Sequence, residues 1–236
     1  MKTVFLKYAI VLWVTILPAM ALPVRFLAWD GNISGRDLKV LSGEEGKKIE
    51  GLNQTRKTAP YRVAVGDDHI VYLQAADRKD AEGKPVVLRI PILPNVKEPL
   101  ILLLPNPNEP SGITGIPFED SSDGFKFGSF RMLNMTKGQL GCAFGKDRKV
   151  LKPRGSEDFA PGGTTPTPIA FVGPARPKDP LFTSVWTPDP DIRNLVIIAP
   201  GTDPRLGPLA IKIVPESRVD FEMQQSLNSD KESNAN

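Results

Sequence analysis

Cysteine and histidine are almost missing from this chain, with one of each in 236 residues. A single cysteine, Cys142, excludes an intramolecular disulfide. With only His69 beside it, zinc and copper sites lose their usual ligand sets, and a blue-copper centre is excluded outright. A Ser-His-Asp hydrolase would have to use His69. That residue follows Gly66-Asp67-Asp68 in a turn-like setting, and no G-x-S-x-G elbow accompanies it. No G-x-x-x-x-G-K-[ST] phosphate loop occurs either. Past the first 21 residues no apolar run approaches the roughly 20 residues of a membrane span. Outside the N-terminal segment and the tail, no window carries a helical apolar period. The composition calls for no cofactor and no metal.

What is present begins with an export signal. Lys2 and Lys7 make a positive n-region, and Tyr8 to Leu17 form an apolar stretch too short to span a bilayer. Pro18 breaks the helix, and Ala19-Met-Ala21 supplies the small residues of a cleavage site. Cleavage is expected between Ala21 and Leu22, giving residues 1–21 as signal peptide and a periplasmic or extracellular location. Removing them leaves 28 basic residues against 27 acidic. A surface that evenly mixed argues against nucleic acid and against electrostatic attachment to membranes.

The 24 prolines and 20 glycines punctuate short apolar runs, which is the pattern of a folded all-β chain. Strands are predicted at 24–29, 38–41, 61–65, 70–75, 86–92, 100–104, 130–135, 140–144, 169–172, 182–186, 195–199 and 209–214. In 86–92 the residues Val86, Leu88, Ile90 and Ile92 alternate with Val87, Arg89 and Pro91, and Pro91 marks an edge strand. Leu100–Leu104 and Leu195–Ala199 are uninterrupted apolar runs, suited to strands buried on both faces.

The two halves read as a diverged duplication. Leu100-Ile-Leu-Leu-Leu-Pro105 matches Leu195-Val-Ile-Ile-Ala-Pro200 at an offset of 95, with Gly112, Ile116 and Phe118 meeting Gly207, Ile211 and Ile213. Arg25-Phe-Leu-Ala-Trp29 matches Arg131-Met-Leu-Asn-Met135 at an offset of 106. The expected fold class is therefore all-β: two tandem β-sandwich-like repeats, Ig-like in style, with a disordered C-terminal tail. The repeats span 22–122 and 123–216, and the tail 217–236. Glu119 to Gly124 is expected to be a solvated linker, and 152–180, with seven prolines, an irregular surface segment.

Candidate sites are few. Cys142, flanked by Leu140 and Phe144 on one strand face, is expected to be a buried hydrophobe; the alternative is a reactive thiol or an intermolecular disulfide. Asp77, Asp80 and Glu82 are interleaved with Arg78, Lys79 and Gly83, which suits a hairpin turn better than acid–base chemistry. Glu119, Asp120 and Asp123 match no EF-hand spacing. Trp186, Asp189 and Asp191, in Trp186-Thr-Pro-Asp-Pro-Asp191, form a candidate contact surface, although a core tryptophan is the commoner case. Asn32, Asn53 and Asn134 begin glycosylation-type triplets.

The segment Phe127-Gly-Ser-Phe-Arg-Met-Leu-Asn-Met-Thr136, together with Pro200-Gly-Thr-Asp203, resembles uncharacterised exported β-rich proteins of planctomycete- and verrucomicrobium-like bacteria. The resemblance implies export and a β-fold and carries over no functional residue. The expected function is thus an exported, non-enzymatic structural or interaction module. Its partner would be an envelope protein or a glycan. The alternatives are a carbohydrate-binding accessory module using Trp29 or Trp186, and a carboxylate-dependent hydrolase with two acids facing each other across a cleft.

Overall fold

The computed structural model describes residues 20–233 apart from 44, 202, 204 and 206. The expected signal peptide therefore lies outside the described residues as far as Ala19. Ala21 and Leu22 fall in the first strand, paired with Ala64 and Val63.

The first repeat contains β1 (Met20–Ala28), β2 (Leu38–Ser42), β3 (Glu45–Lys48), β4 (Tyr61–Val65), β5 (Ile70–Lys79), β6 (Pro85–Pro91), β7 (Pro99–Pro105) and β8 (Ile113–Glu119), with the short helix α1 (Gly31–Ser34). The second contains β9 (Phe130–Asn134), β10 (Leu140–Phe144), β11 (Asp147–Leu151), β12 (Ser156–Phe159), β13 (Thr167–Gly173), β14 (Arg176–Trp186), β15 (Ile192–Pro200) and β16 (Leu209–Ser217). Helix α2 (Arg218–Ser233) follows. The sheet orders are β4-β1-β7-β8 and β3-β2-β5-β6, then β12-β9-β15-β16 and β11-β10-β13-β14. Adding eight to each strand number of the first pair gives the second pair, so the two repeats share one topology. In both, the first strand lies parallel to the seventh: Arg25 sits opposite Leu100, and Arg131 opposite Leu195. That is the correspondence read from the 106 and 95 offsets. The chain is two tandem sandwiches, with β1 and β9 inserted beside the long apolar strands.

One part of the sequence alignment is shifted. Leu100 faces Phe118, whereas Leu195 faces Val214. The return strand is therefore offset by one residue more than the central strand, because the loop between β15 and β16 is one residue longer. Phe118 corresponds to Val214, not Ile213, and Asp120 corresponds to Glu216.

Alternation along the strands explains the packing. Val24, Phe26 and Ala28 face the first sandwich core with Val71, Leu73, Ile101 and Leu103. Phe130, Met132, Cys142, Phe144, Phe171, Val196 and Ile198 build the second. The opposite faces of the two strand pairs meet each other. Leu27, Leu100 and Leu102 pack with Leu133, Leu195, Ile197 and Val214 in a third apolar layer between the sandwiches. This is why the runs at 100–104 and 195–199 have no polar face.

Three expectations need correction. The segment 119–124 is solvated only over its second half: Ser122, Asp123 and Gly124 are exposed, but Asp120 and Ser121 are buried, and so is Phe125 just beyond. The stretch 152–180 is largely ordered, since it holds β12, β13 and the start of β14. The tail begins as helix α2 rather than as disordered chain; its Phe221 is buried and packs edge-on against Phe127. One aromatic anchor outweighs the polar composition of that segment. The edge assignment of β6 agrees with Pro91.

Candidate functional site: a buried ionic cluster between the repeats

The densest polar grouping lies at one end of the inter-sandwich layer. Arg25 is on β1, on the face shared with Leu27. Glu216 is the penultimate residue of β16, two residues from Val214 on the same face. Arg193 is the second residue of β15, Asp120 directly follows β8, and Lys57 precedes β4. All five are 8% exposed or less, and Arg193 is fully buried. Strand alternation forces the three strand residues inward, and the antiparallel register of β15 with β16 sets Arg193 directly opposite Glu216.

Lys57 Nζ lies 2.7 and 3.0 Å from the two Asp120 oxygens and 2.8 Å from Glu216 Oε2. Arg25 donates to Asp120 Oδ2 at 3.2 Å, to Glu216 Oε1, and to the Thr58 carbonyl at 3.0 Å. Arg193 Nε donates to Glu216 Oε2 at 2.7 Å, and its Nη1 donates to the carbonyls of Asp120 and Phe125, both at 2.9 Å. Aromatic faces complete the enclosure. The Arg193 guanidinium lies 4.7 to 5.2 Å from the ring centres of Phe125, Phe127 and Phe221. Gln224 of α2 accepts from Arg25 at 3.2 Å, so the helix closes over the cluster.

Burial alone would raise the Glu216 pKa, but Lys57, Arg25 and Arg193 hold it well below the usual carboxylate range. For Lys57 burial is the largest influence and lowers its pKa, opposed by Asp120 and Glu216. Glu98 is pushed up by burial and by the nearby Asp120 and Glu119. A second arginine, Arg131, is the repeat counterpart of Arg25. It pairs with Asp158 through Nε and Nη2 at 2.6 and 2.7 Å and donates to the Glu119 and Gly124 carbonyls. The equivalent positions thus serve the same junction through different partners.

None of the five was singled out by sequence reasoning as a site residue except Asp120, and that in a different role. The available signal was Arg25 and Arg131 at matching places in the duplication, each a charge inside an otherwise apolar strand. The other expected residues are placed as follows. Trp186 is half-buried and stacked on Phe130 with ring centres 5.7 Å apart, while Phe144 and Phe182 lie against it. Asp189 and Asp191 are exposed and turned to local tasks. Asp189 Oδ1 accepts from the Asp191 amide at 2.9 Å, and Asp191 Oδ1 pairs with Arg218 at 3.0 Å. Trp29 is half-buried, with Lys212 Nζ 4.9 Å from its ring centre. Neither indole therefore lies open as a flat platform.

Asp77 pairs with Arg36, whose hydrogen bonds lower its pKa, while Asp80 Oδ1 accepts from the Glu82 and Lys84 amides at 2.9 Å in the hairpin turn. Glu119 accepts from the Lys97 and Ser121 amides, at 2.6 and 2.8 Å. Among the described residues no three of His, Cys, Asp and Glu are grouped to hold a metal ion. His69 is exposed in a turn with φ 51°. Asn134 is fully buried and donates to the Gly138 and Leu151 carbonyls, so it offers no acceptor for a glycan. An open cleft of about 420 Å³ is lined by Val40, Ser42, Gly46, Lys47, Tyr61 and Arg62, none of them a carboxylate.

Cys142 is buried, and burial pushes its pKa up to about 12, against weaker opposing effects of Arg148 and Lys149. Native protein treated with a thiol reagent at neutral pH is expected to label over hours, not minutes. Stoichiometric labelling within minutes would contradict this placement.

These features define an all-β protein of two fused sandwiches joined by a closed ionic cluster. No family model matches the chain, and no curated protein matches it. Among solved structures, the chain is similar to one described as a "putative cell adhesion protein from Bacteroides uniformis ATCC 8492", at 11% identity and a TM-score of 0.22, over 84% of this chain and 97% of that one. Among the described residues, no helix is long and apolar enough to cross a membrane.

Proposed function

We propose that this chain is an exported, non-enzymatic structural or interaction module of the periplasm, cell envelope or extracellular space. The observation that supports it best is the fate of Asp120 and Glu216. Among the described residues, these are the two buried carboxylates that a hydrolase of this fold would have available. They face each other through the Lys57 ammonium rather than across an open cleft, and three cations hold them in place. Their task in this reading is to lock two sandwiches into one rigid body.

A rigid body of this kind presents its outer sheet faces and loops to a partner. The outer face of β11-β10-β13-β14 carries Val150 and Val185, 58% and 62% exposed, at its two edges. Panels of glycosidase, esterase and peptidase substrates are expected to give only background with the purified mature chain. Turnover abolished by changing one Asp or Glu to its amide would replace this reading with a carboxylate hydrolase. Export has its own check. N-terminal sequencing of protein recovered from its native compartment should begin at Leu22, and a start at Met1 would refute the leader.

A further inference from the structure

We propose that Lys57 and Asp120 become joined by an intramolecular amide bond that forms inside the folded chain without a cofactor. The nucleophile, the electrophile and a proton acceptor are already in contact. Lys57 Nζ is 2.7 Å from Asp120 Oδ1, and Glu216 Oε2 lies 2.8 Å from the same nitrogen. The lysine and aspartate side chains are 2% and 3% exposed. The Phe125 ring centre lies 5.5 Å from Nζ and helps keep the site dry. Two reacting groups held this way carry no further entropic cost of meeting, which is the largest obstacle to condensation in solution.

The bookkeeping closes within the ion pair. A proton passes from the Lys57 ammonium to Asp120 Oδ1, 2.7 Å away, leaving a neutral carboxylic acid and a neutral amine whose lone pair attacks Asp120 Cγ. The tetrahedral oxygen develops charge beside Arg25 Nη1, 3.2 Å from Oδ2, and Arg193 Nη2, 3.6 Å from it. The amine gives up a second proton, the Cγ–O bond breaks, and the departing oxygen leaves as water with both protons. Glu216 ends ionised, as it began. One ammonium and one carboxylate become one neutral amide and one water, so the net charge of the cluster does not change. Burial makes the exchange favourable. Two desolvated charges are costly to hold, and a neutral amide removes that cost while water, the reagent of the reverse reaction, is excluded.

The bond would span 63 residues, from the segment before β4 to the residue after β8. These strands are the two edges of one sheet, so the bond would tie the two edges of that sheet together covalently. This goes beyond the interaction-module reading and stands or falls separately from it.

The test is the intact mass of the purified, folded chain, measured after denaturation. The expected result is a chain lighter by one water than its sequence requires. Proteolysis should then release a branched peptide linking Lys57 to Asp120. Lys57→Arg is expected to show the full mass, whether or not it folds. Wild-type protein of full mass overturns the proposal. So does a deficit that persists in Lys57→Arg, or one that maps to a Lys57–Glu216 link or to a cyclised aspartate.

Discussion

Glu216→Gln is expected to lower the stability of the chain by about 3–5 kcal/mol, the usual cost of removing one partner from a buried charge network. The substitution keeps the shape and removes one of only two carboxylates that face Arg25, Lys57 and Arg193. Arg193 suffers most, because it is fully buried and its Nε and Nη2 both lie within 2.7 Å of Glu216 Oε2. Denaturant unfolding of the two proteins measures the difference. Adding Arg193→Met should recover part of the loss, because the second change removes a charge that the first left uncompensated. Additive losses in the double variant would show that the two side chains are not energetically coupled.

The same residue predicts an acid-labile fold. The Glu216 pKa is depressed in the native state, so the unfolded chain binds the proton more tightly at this group. Its stabilising contribution is complete above the ordinary carboxylate pKa and is lost as pH falls below it, toward the depressed native value. The denaturation midpoint of the wild type should therefore drop through this acid range, and that of Glu216→Gln should drop less. Parallel curves would assign the acid sensitivity to other groups.

Ile197→Ala is expected to cost about 2–5 kcal/mol, the range for truncating a large aliphatic residue in a closed core. Ile197 is fully buried in the layer where the sandwiches meet, beside Leu133 on the neighbouring β9. The form of the transition is as informative as its midpoint. Because Leu27, Leu100 and Leu102 of one repeat share this layer with Leu133, Leu195 and Ile197 of the other, calorimetry should show one cooperative transition that moves to lower temperature. Two separated transitions, with only the later half of the chain affected, would mean that the repeats fold as independent domains.

The alternating strands were legible because a two-residue period with one buried face leaves a direct trace in the residue order. Tyr61 to Val65 is an example; in Leu209 to Val214 the trace fails at the end, where Ile213 is exposed and Val214 is buried on the opposite face against the other sandwich. The runs at 100–104 and 195–199 announced burial on both faces, and the structure supplies the second face as the other repeat. Short polar strands left no such trace. β3, β11 and β12 lie at sheet edges with few inward side chains, and they were read as loop. The segment 119–124 was misread for a related reason. Acids and serines beside a glycine have the composition of a solvated linker, and only the cations that meet Asp120 reverse that reading.

By itself, the order of residues determined the strand faces, the two central apolar strands and the repetition with its offsets of 106 and 95. These follow from local geometry, since side-chain direction along a strand depends only on position within it. The ionic cluster was decided by the tertiary structure alone. Arg25 and Glu216 stand 191 residues apart, and Lys57 and Asp120 stand 63 apart. Whether a charge in an apolar strand points to water or to a partner depends on what packs over that face. Here the answer was the other sandwich, an arrangement no local pattern encodes.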